Sequence, residues 1–290
     1  MARDSPNNPV LPGHIIMKYQ IDQIEPSPQF LEARNLAGSN LEKKFSEGLG
    51  KYEPPMDYRW LKAEMTWPSH DHLTFGYGNQ IFSVLVSIEN GSQSSLTPRA
   101  IQTCKEVCKK NSLIPCCYTV NANPLRPKAP GWNLTHLETG EPVVPGEWVT
   151  RETIPLSEWE LRNLVIQIVR EQIANSGKGE VESFCDVSGI DPQIWFKDKE
   201  GEMCWVIVRH HPKINGDEKQ AWIGCEESNP LLQKYDGYFA AVSIASSATV
   251  LRDLEGNVIP PSKRYNGEAP LYRCDGYCVR FEGLQRIYVC

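Results

Sequence analysis

Two aspartates that each precede a pair of strand-like segments are the first residues whose type and position suggest chemistry. Asp71 precedes the apolar segment at 81–86, and Asp191 precedes the apolar segment at 203–208. Carboxylate oxygens are the ligands that Mg²⁺ prefers, and a single carboxylate rarely retains the ion. A lone aspartate in either position therefore does not by itself predict a metal site.

Basic residues follow the second apolar segment directly. Arg209 is succeeded by His210 and His211. A guanidinium binds phosphate or carboxylate through two parallel hydrogen bonds, so Arg209, His210 and His211 are candidate binding residues. For these histidines, and for the two that flank Asp71, a polar strand end is favoured over metal ligation.

The ten cysteines raise the question of zinc. Cys104 and Cys108 follow the helix start Thr97-Pro98 at a spacing that places both on the apolar face, which predicts small core residues. Cys274 and Cys278 flank an Asp-Gly turn, and the alternatives of turn and metal ligand stay open for them. No pair has the two-residue gap of a zinc ribbon, so we expect reduced thiols and no structural zinc.

The composition excludes several classes of protein. Hydrophobic residues make up 40% and charged residues 23% of 290 residues, which excludes disordered, collagen-like and coiled-coil chains. The net charge of −6 argues against a chain-wide nucleic-acid surface. No apolar stretch reaches membrane-spanning length, and the first residues lack a signal-peptide pattern. We therefore expect a cytoplasmic protein without membrane association, whose partner is a protein or, second, a nucleic acid. The oligomeric state stays open.

The strongest helix pattern begins with the capping box Ser157-Glu-Trp-Glu160 and stops at Gly177. Apolar residues recur along it at helical spacing, which predicts one buried face. The residues expected to be buried are Leu161, Leu164, Val165, Ile168 and Val169.

The order of patterns divides the chain into four parts. They are an N-terminal extension (1–27), a first α/β unit (28–120), a Pro-rich ordered connection (121–155) and a second α/β unit with C-terminal strands (156–290). The expected fold class is thus α/β with mixed sheets.

The two units share a plan. In each, the aspartate is followed four residues later by an aromatic residue, Phe75 or Trp195, and then by a turn and an aliphatic triplet. This predicts an internal duplication in which the hairpins at 71–86 and 191–208 are equivalent.

This plan resembles the core of the restriction-endonuclease-like, or PD-(D/E)XK, nucleases. The resemblance rests on Asp191-Pro-Gln-Ile-Trp-Phe followed by Trp205-Val-Ile-Val, and more weakly on Asp71 with Val84-Leu-Val. Members of that family hold a divalent metal with the aspartate and with an acid on the next strand. A lysine two residues after that acid assists the attack on phosphate. The resemblance implies this fold for one or both units, with Mg²⁺ as the cofactor of any catalysis.

The sequence departs from the family's pattern where the chemistry takes place. No acid follows Val208, and in the first unit Glu89 can stand as the acid but Gly91 replaces the lysine. Glu160 and Glu171, on the capped helix, are candidates for migrated ligands.

We therefore expect a non-catalytic binding, scaffold or accessory protein, for example of the immunity type, with no cofactor. If Asp191 is structural, it should cap a turn or pair with Arg209. The alternative is a metal-dependent nuclease in which Asp191, Glu171, Asp71 and Glu89 supply Mg²⁺ ligands. A carboxylate cluster around Asp191 or Asp71 would favour this alternative.

Overall fold

The computed structural model describes residues 27–48, 58–62, 73–91, 93–186, 190–210 and 230–287. The expected N-terminal extension lies outside these ranges except for residue 27, and Asp71, the two histidines beside it and His211 also lie outside. The described residues form two mixed β-sheets with helices packed on them, which confirms the mixed α/β fold class.

The first half of the chain forms an eight-stranded sheet. Its helices are α1 (Pro28–Gly48), α2 (Pro98–Asn111) and α3 (Pro145–Trp148). Its strands are β1 (Tyr58–Lys62), β2 (Leu73–Tyr77), β3 (Gln80–Asn90), β4 (Gln93–Ser94), β5 (Ile114–Ala122), β6 (Leu125–Pro127), β7 (Leu134–His136) and β8 (Pro142–Val143). The strand order is β1-β2-β3-β5-β7-β8, with β4 paired to β3 and β6 paired to β5.

The second half forms a six-stranded sheet after α4 (Glu158–Asn175). The strands in this half are β9 (Gly179–Phe184), β10 (Ile194–Asp198), β11 (Met203–His210), β12 (Asp236–Ser246), β13 (Leu251–Arg252), β14 (Val258–Ile259), β15 (Tyr277–Phe281) and β16 (Gln285–Ile287). The order is β15-β12-β11-β10-β9, with β16 also paired to β12, while β13 and β14 form a separate hairpin. A 3₁₀ turn at Pro230–Lys234 precedes β12.

The Pro-rich segment at 121–155 is ordered, as expected, but it is more than a connection. Three short strands from it, β6, β7 and β8, extend the first sheet beyond β5. The first unit therefore continues past residue 120. The prolines of this segment do not prevent strand pairing there, since Pro is tolerated at strand ends and at a sheet edge.

Helix α1 runs without a break through Gly38-Ser-Asn, where the sequence allowed an interruption. Ala33, Ala37, Leu41 and Phe45 on its inner face are buried against the first sheet. This packing stabilises the helix and outweighs the low helix propensity of glycine.

The buried face of α4 differs in part from the prediction. Val165 and Val169 are buried as predicted, but Leu161, Leu164 and Ile168 are only half-buried. Ile166 and Ile173 complete the fully buried stripe. The apolar residues of this helix cover a wider face than the part that contacts the sheet. Periodicity therefore identified the apolar face but not which of its residues lie at the centre of the contact.

Both sheets share one pairing pattern. The run β1-β2-β3-β5-β7 is antiparallel, antiparallel, parallel and antiparallel, and the run β9-β10-β11-β12-β15 repeats these directions. Helix α1 or α4 covers one face of each sheet. The other face carries α2 in the first half and Leu232 of the 3₁₀ turn in the second. This agreement supports the duplication, which stays a prediction.

The register of the hairpins corrects one detail of the proposed equivalence. Leu73 pairs with Val84, and Ile194 pairs with Val206. Because side chains alternate between faces, the match of Phe75 is then Phe196 and not Trp195. Phe75 and Phe196 both face the helix that precedes their sheet, whereas Trp195 packs on the opposite face.

A buried ion pair lies where the two halves meet. The guanidinium of Arg273 donates to both carboxylate oxygens of Glu160, at 2.8 and 3.0 Å, and the two side chains are 3% and 4% exposed. The same guanidinium donates to the carbonyl oxygens of Asn79, Asn111 and Ser112 in the first half. Arg273 therefore places a cation at the C-terminal end of α2, where the last carbonyls need donors.

Among the described helices, none combines the length and the apolar character that crossing a membrane requires.

Candidate functional site

Asp191 and Arg209 form a two-pronged ion pair at the open end of the second hairpin. Asp191 lies just before β10, and Arg209 lies near the end of the neighbouring β11. Arg209 Nη1 donates to Asp191 Oδ1 at 2.9 Å, and Nη2 donates to Oδ2 at 2.6 Å. Both carboxylate oxygens are thus engaged, as expected for a structural aspartate, and the geometry is the strong bidentate kind.

The buried side chain of Gln193 fixes this pair in place. Its amide nitrogen donates to the carbonyl oxygen of Ile190 at 2.5 Å and to Asp191 Oδ1. Its amide oxygen accepts from the backbone N–H of Val208 at 2.7 Å and from Arg209 Nη1 at 3.5 Å. One amide therefore links both members of the pair to the backbone that precedes β10 and to the backbone of β11.

The pKa of Asp191 lies below its ordinary value. Burial alone would raise this pKa, but the hydrogen bonds and charge of Arg209, the hydrogen bond from Gln193 and the charge of Arg162 together lower it. The carboxylate is therefore ionised at neutral pH, and its negative charge is balanced locally by Arg209.

A cleft of about 430 Å³ opens beside the ion pair, between α4 and the end of the hairpin. Its α4 side repeats at positions i, i+3, i+4 and i+7, which is one face of a helix. Apolar side chains and charged side chains both line it. The lining residues are Glu158, Leu161, Arg162, Val165, Asp191, Gln193, Val208, Arg209 and His210.

Arg162 is the cation of the cleft that is not already paired. Within the part of the chain that the structure describes, its guanidinium has no hydrogen bond or ion pair, although its charge acts on Asp191. Glu158 lies one turn earlier on α4, is exposed and has no ion pair among the described residues. The cleft therefore contains one paired and one unpaired set of opposite charges.

The other predicted acids do not converge on Asp191. Glu89 binds Lys128 at 2.5 Å in the first half, and Glu171 is exposed on α4 away from the cleft. Glu160 is buried in its pair with Arg273. In the described ranges no group of three or more His, Cys, Asp or Glu side chains is placed to hold a metal ion. Of the predicted binding residues, His210 lines the cleft with Arg209.

The cysteine positions agree with the helix prediction. Cys104 and Cys108 are buried on the inner face of α2, with their sulfur atoms 3.9 Å apart. Burial raises the pKa of Cys116 far above its usual range and raises that of Cys204 to about 11, so both are protonated at neutral pH. Cys274 is exposed before β15, and Cys278 lies within it.

Sequence reasoning missed Glu158, Arg162 and Gln193. The first two carry a readable signal, since they share the helical face of Leu161 and Val165. Gln193 has a weaker signal: it lies two residues after Asp191 and directly before β10. Its partner across the hairpin depends on register, which the sequence does not specify.

Residues 159–287 match a family model described as a domain of unknown function (DUF8840). The match begins in α4, ends at β16 and covers less than half of the chain. It contains every residue that lines the cleft except Glu158. Neither a search of curated proteins nor a search of solved structures found a match.

Proposed function

We propose that this chain is a cytoplasmic, non-catalytic binding protein, and that the cleft between α4 and the β10–β11 hairpin is its binding site. The observation that carries this proposal is the bidentate pair between Asp191 and Arg209. In the endonuclease-like reading, Asp191 is the residue that must ligate the metal.

The pair opposes metal binding on two physical grounds. A divalent ion needs free lone pairs on the carboxylate oxygens, and most of the roughly four acceptor sites of Asp191 are in use, since Oδ1 accepts from Arg209 and Gln193 and Oδ2 accepts from Arg209. A guanidinium within 2.6 Å also places positive charge where the ion would sit. Phosphodiester cleavage in such a site depends on the charge of the metal, so the arrangement favours binding over hydrolysis.

The pairing pattern supports an endonuclease-like fold for both units. A helix, an antiparallel hairpin and a further parallel strand recur in each half, in the order that the sequence resemblance implies. The proposal is therefore a duplicated scaffold of this fold that serves as an accessory factor, with a protein as the expected partner.

A cleavage assay tests the non-catalytic part of the proposal. Purified protein is incubated with single- and double-stranded DNA and RNA, in the presence of Mg²⁺ or Mn²⁺, and we expect no cleavage. The nuclease alternative requires cleavage that Asp191→Asn abolishes. The matched control is Asp236→Asn, which breaks an exposed pair with Arg286 on another strand. Cleavage that is lost in the first variant and kept in the second would overturn the proposal.

A further inference from the structure

The cleft combines apolar side chains with a cation, Arg162, that has no hydrogen bond or ion pair among the described residues, and this combination points to a class of ligand. Val165 and Val208 beside Arg162 are buried, and Leu161 is half-buried. Polar and charged side chains outnumber apolar ones in the lining, so the polar group of a ligand would dominate its recognition.

We propose that this cleft binds a ligand with an oxyanion group on an apolar body, and that Arg162 binds the oxyanion. The inference rests on the proposed function and names its ligand class. Phosphate monoesters and the carboxylate of an apolar peptide C-terminus share this chemistry, since a guanidinium forks onto either group.

The Asp191–Arg209 pair explains why Arg162 is the residue that binds. Arg209 neutralises Asp191, so this carboxylate of the cleft repels an incoming anion less. Gln193 donates to Asp191 and accepts from Arg209 and from the backbone of Val208, which ties the pair to the strand. Asp191, Gln193 and Arg209 are thus positioning residues for the cleft, and Arg162 is the contact residue.

Glu158 allows a test in which a substitution should increase the affinity for an anion. It lines the same cleft and is negatively charged, so it lowers the affinity for an anion. A neutral side chain at this position is therefore expected to tighten anion binding, which no purely structural role of the cleft would produce.

The cleft volume accommodates more than an ion. About 430 Å³ exceeds the space of a phosphate or carboxylate group, so an apolar body can lie against Leu161, the half-buried apolar residue of the lining. We expect phenyl phosphate to bind about tenfold more tightly than inorganic phosphate, because the ring removes apolar surface from water. N-acetyl-leucine should exceed acetate for the same reason.

The test is a titration of the full chain with these four ligands, followed by NMR at low salt. Neutral N-acetyl-leucinamide is the ligand control and should not bind. Arg162→Gln should weaken binding by about tenfold or more. Lys199→Gln, which makes the same charge change on the β10–β11 turn away from the cleft, should leave affinity unchanged.

Glu158→Gln should tighten binding about two- to fivefold, whereas Glu171→Gln on an exposed face of the same helix should have no effect. The tighter-binding member of the phosphate and carboxylate series identifies the source of the oxyanion. If Arg162→Gln does not fold, the direction in which Glu158→Gln changes the affinity for the anion decides whether the ligand class is correct.

Three outcomes would overturn the ligand class: no saturable binding, equal affinity in wild type and folded Arg162→Gln, or weaker binding in Glu158→Gln. None of these would produce metal-dependent cleavage, so a failure here is distinguishable from a failure of the non-catalytic proposal.

Discussion

At the scale of single residues, the pKa of Asp191 reflects a competition between burial, which raises it, and Arg209, which lowers it. The cation prevails, so the folded state binds a proton less readily than the unfolded chain does. A group with a depressed pKa stabilises the fold above its unfolded pKa of about 4. That stabilisation is lost as the pH falls through the lower, folded pKa.

This gives a prediction for Asp191→Asn. Near neutral pH we expect the free energy of unfolding to fall by about 1 kcal/mol, discounted because the Asp191 and Arg209 side chains are 24% and 37% exposed. The difference from wild type should shrink as the pH is lowered below about 4. Urea unfolding across the pH range measures it, and a difference that grows on acidification would contradict the assignment.

Part of the candidate site could be predicted from the sequence, and part could not. Asp191 and Arg209 were both recognisable by residue type, and their pairing was the expected outcome for a structural aspartate. The role of Gln193 was not recognisable, because it depends on which residues of β11 lie opposite β10. Register follows from packing and turn geometry, which a single strand pattern does not determine.

At the scale of elements, helices with explicit termini were predictable and their buried faces were less so. The capping box of Ser157 and Glu160 and the cap of α2 at Thr97 are present as expected. The hairpins and the strand after α2 are also present. The burial of Ile166 was missed, because the apolar arc of α4 exceeds its contact with the sheet.

The α4 face yields a comparative prediction. Ile166→Ala should cost about 2–5 kcal/mol, the usual range for a fully buried aliphatic side chain. Leu164→Ala should cost clearly less, since Leu164 is half-buried at the border of the same cluster. Denaturant unfolding of the two variants decides the order, and an equal or larger loss for Leu164→Ala would place the centre of the face elsewhere.

At the scale of the whole molecule, Arg273 connects parts that are far apart in sequence. Its guanidinium neutralises Glu160 at the start of α4 and donates to the carbonyls that end α2. The backbone adds to this junction, since Leu156 and Arg273 donate to the carbonyls of Leu271 and Ile154. The sequence offered no sign of this junction, because an arginine in a C-terminal segment has no local partner.

Replacing Arg273 should therefore loosen both halves together. Arg273→Met leaves Glu160 as a buried charge without its cation, which typically costs about 3–5 kcal/mol. It also removes donors from the end of α2, so we expect faster amide hydrogen exchange there as well as in the first turn of α4.

Adding Glu160→Gln to this variant should recover part of the lost stability, because the uncompensated charge is gone. Arg264→Met is the control, since Arg264 donates to carbonyls of Ser246 and Ala248 within the second half. Faster exchange in α4 with an unchanged α2 would show that Arg273 stabilises one half only, and that other contacts couple the two sheets.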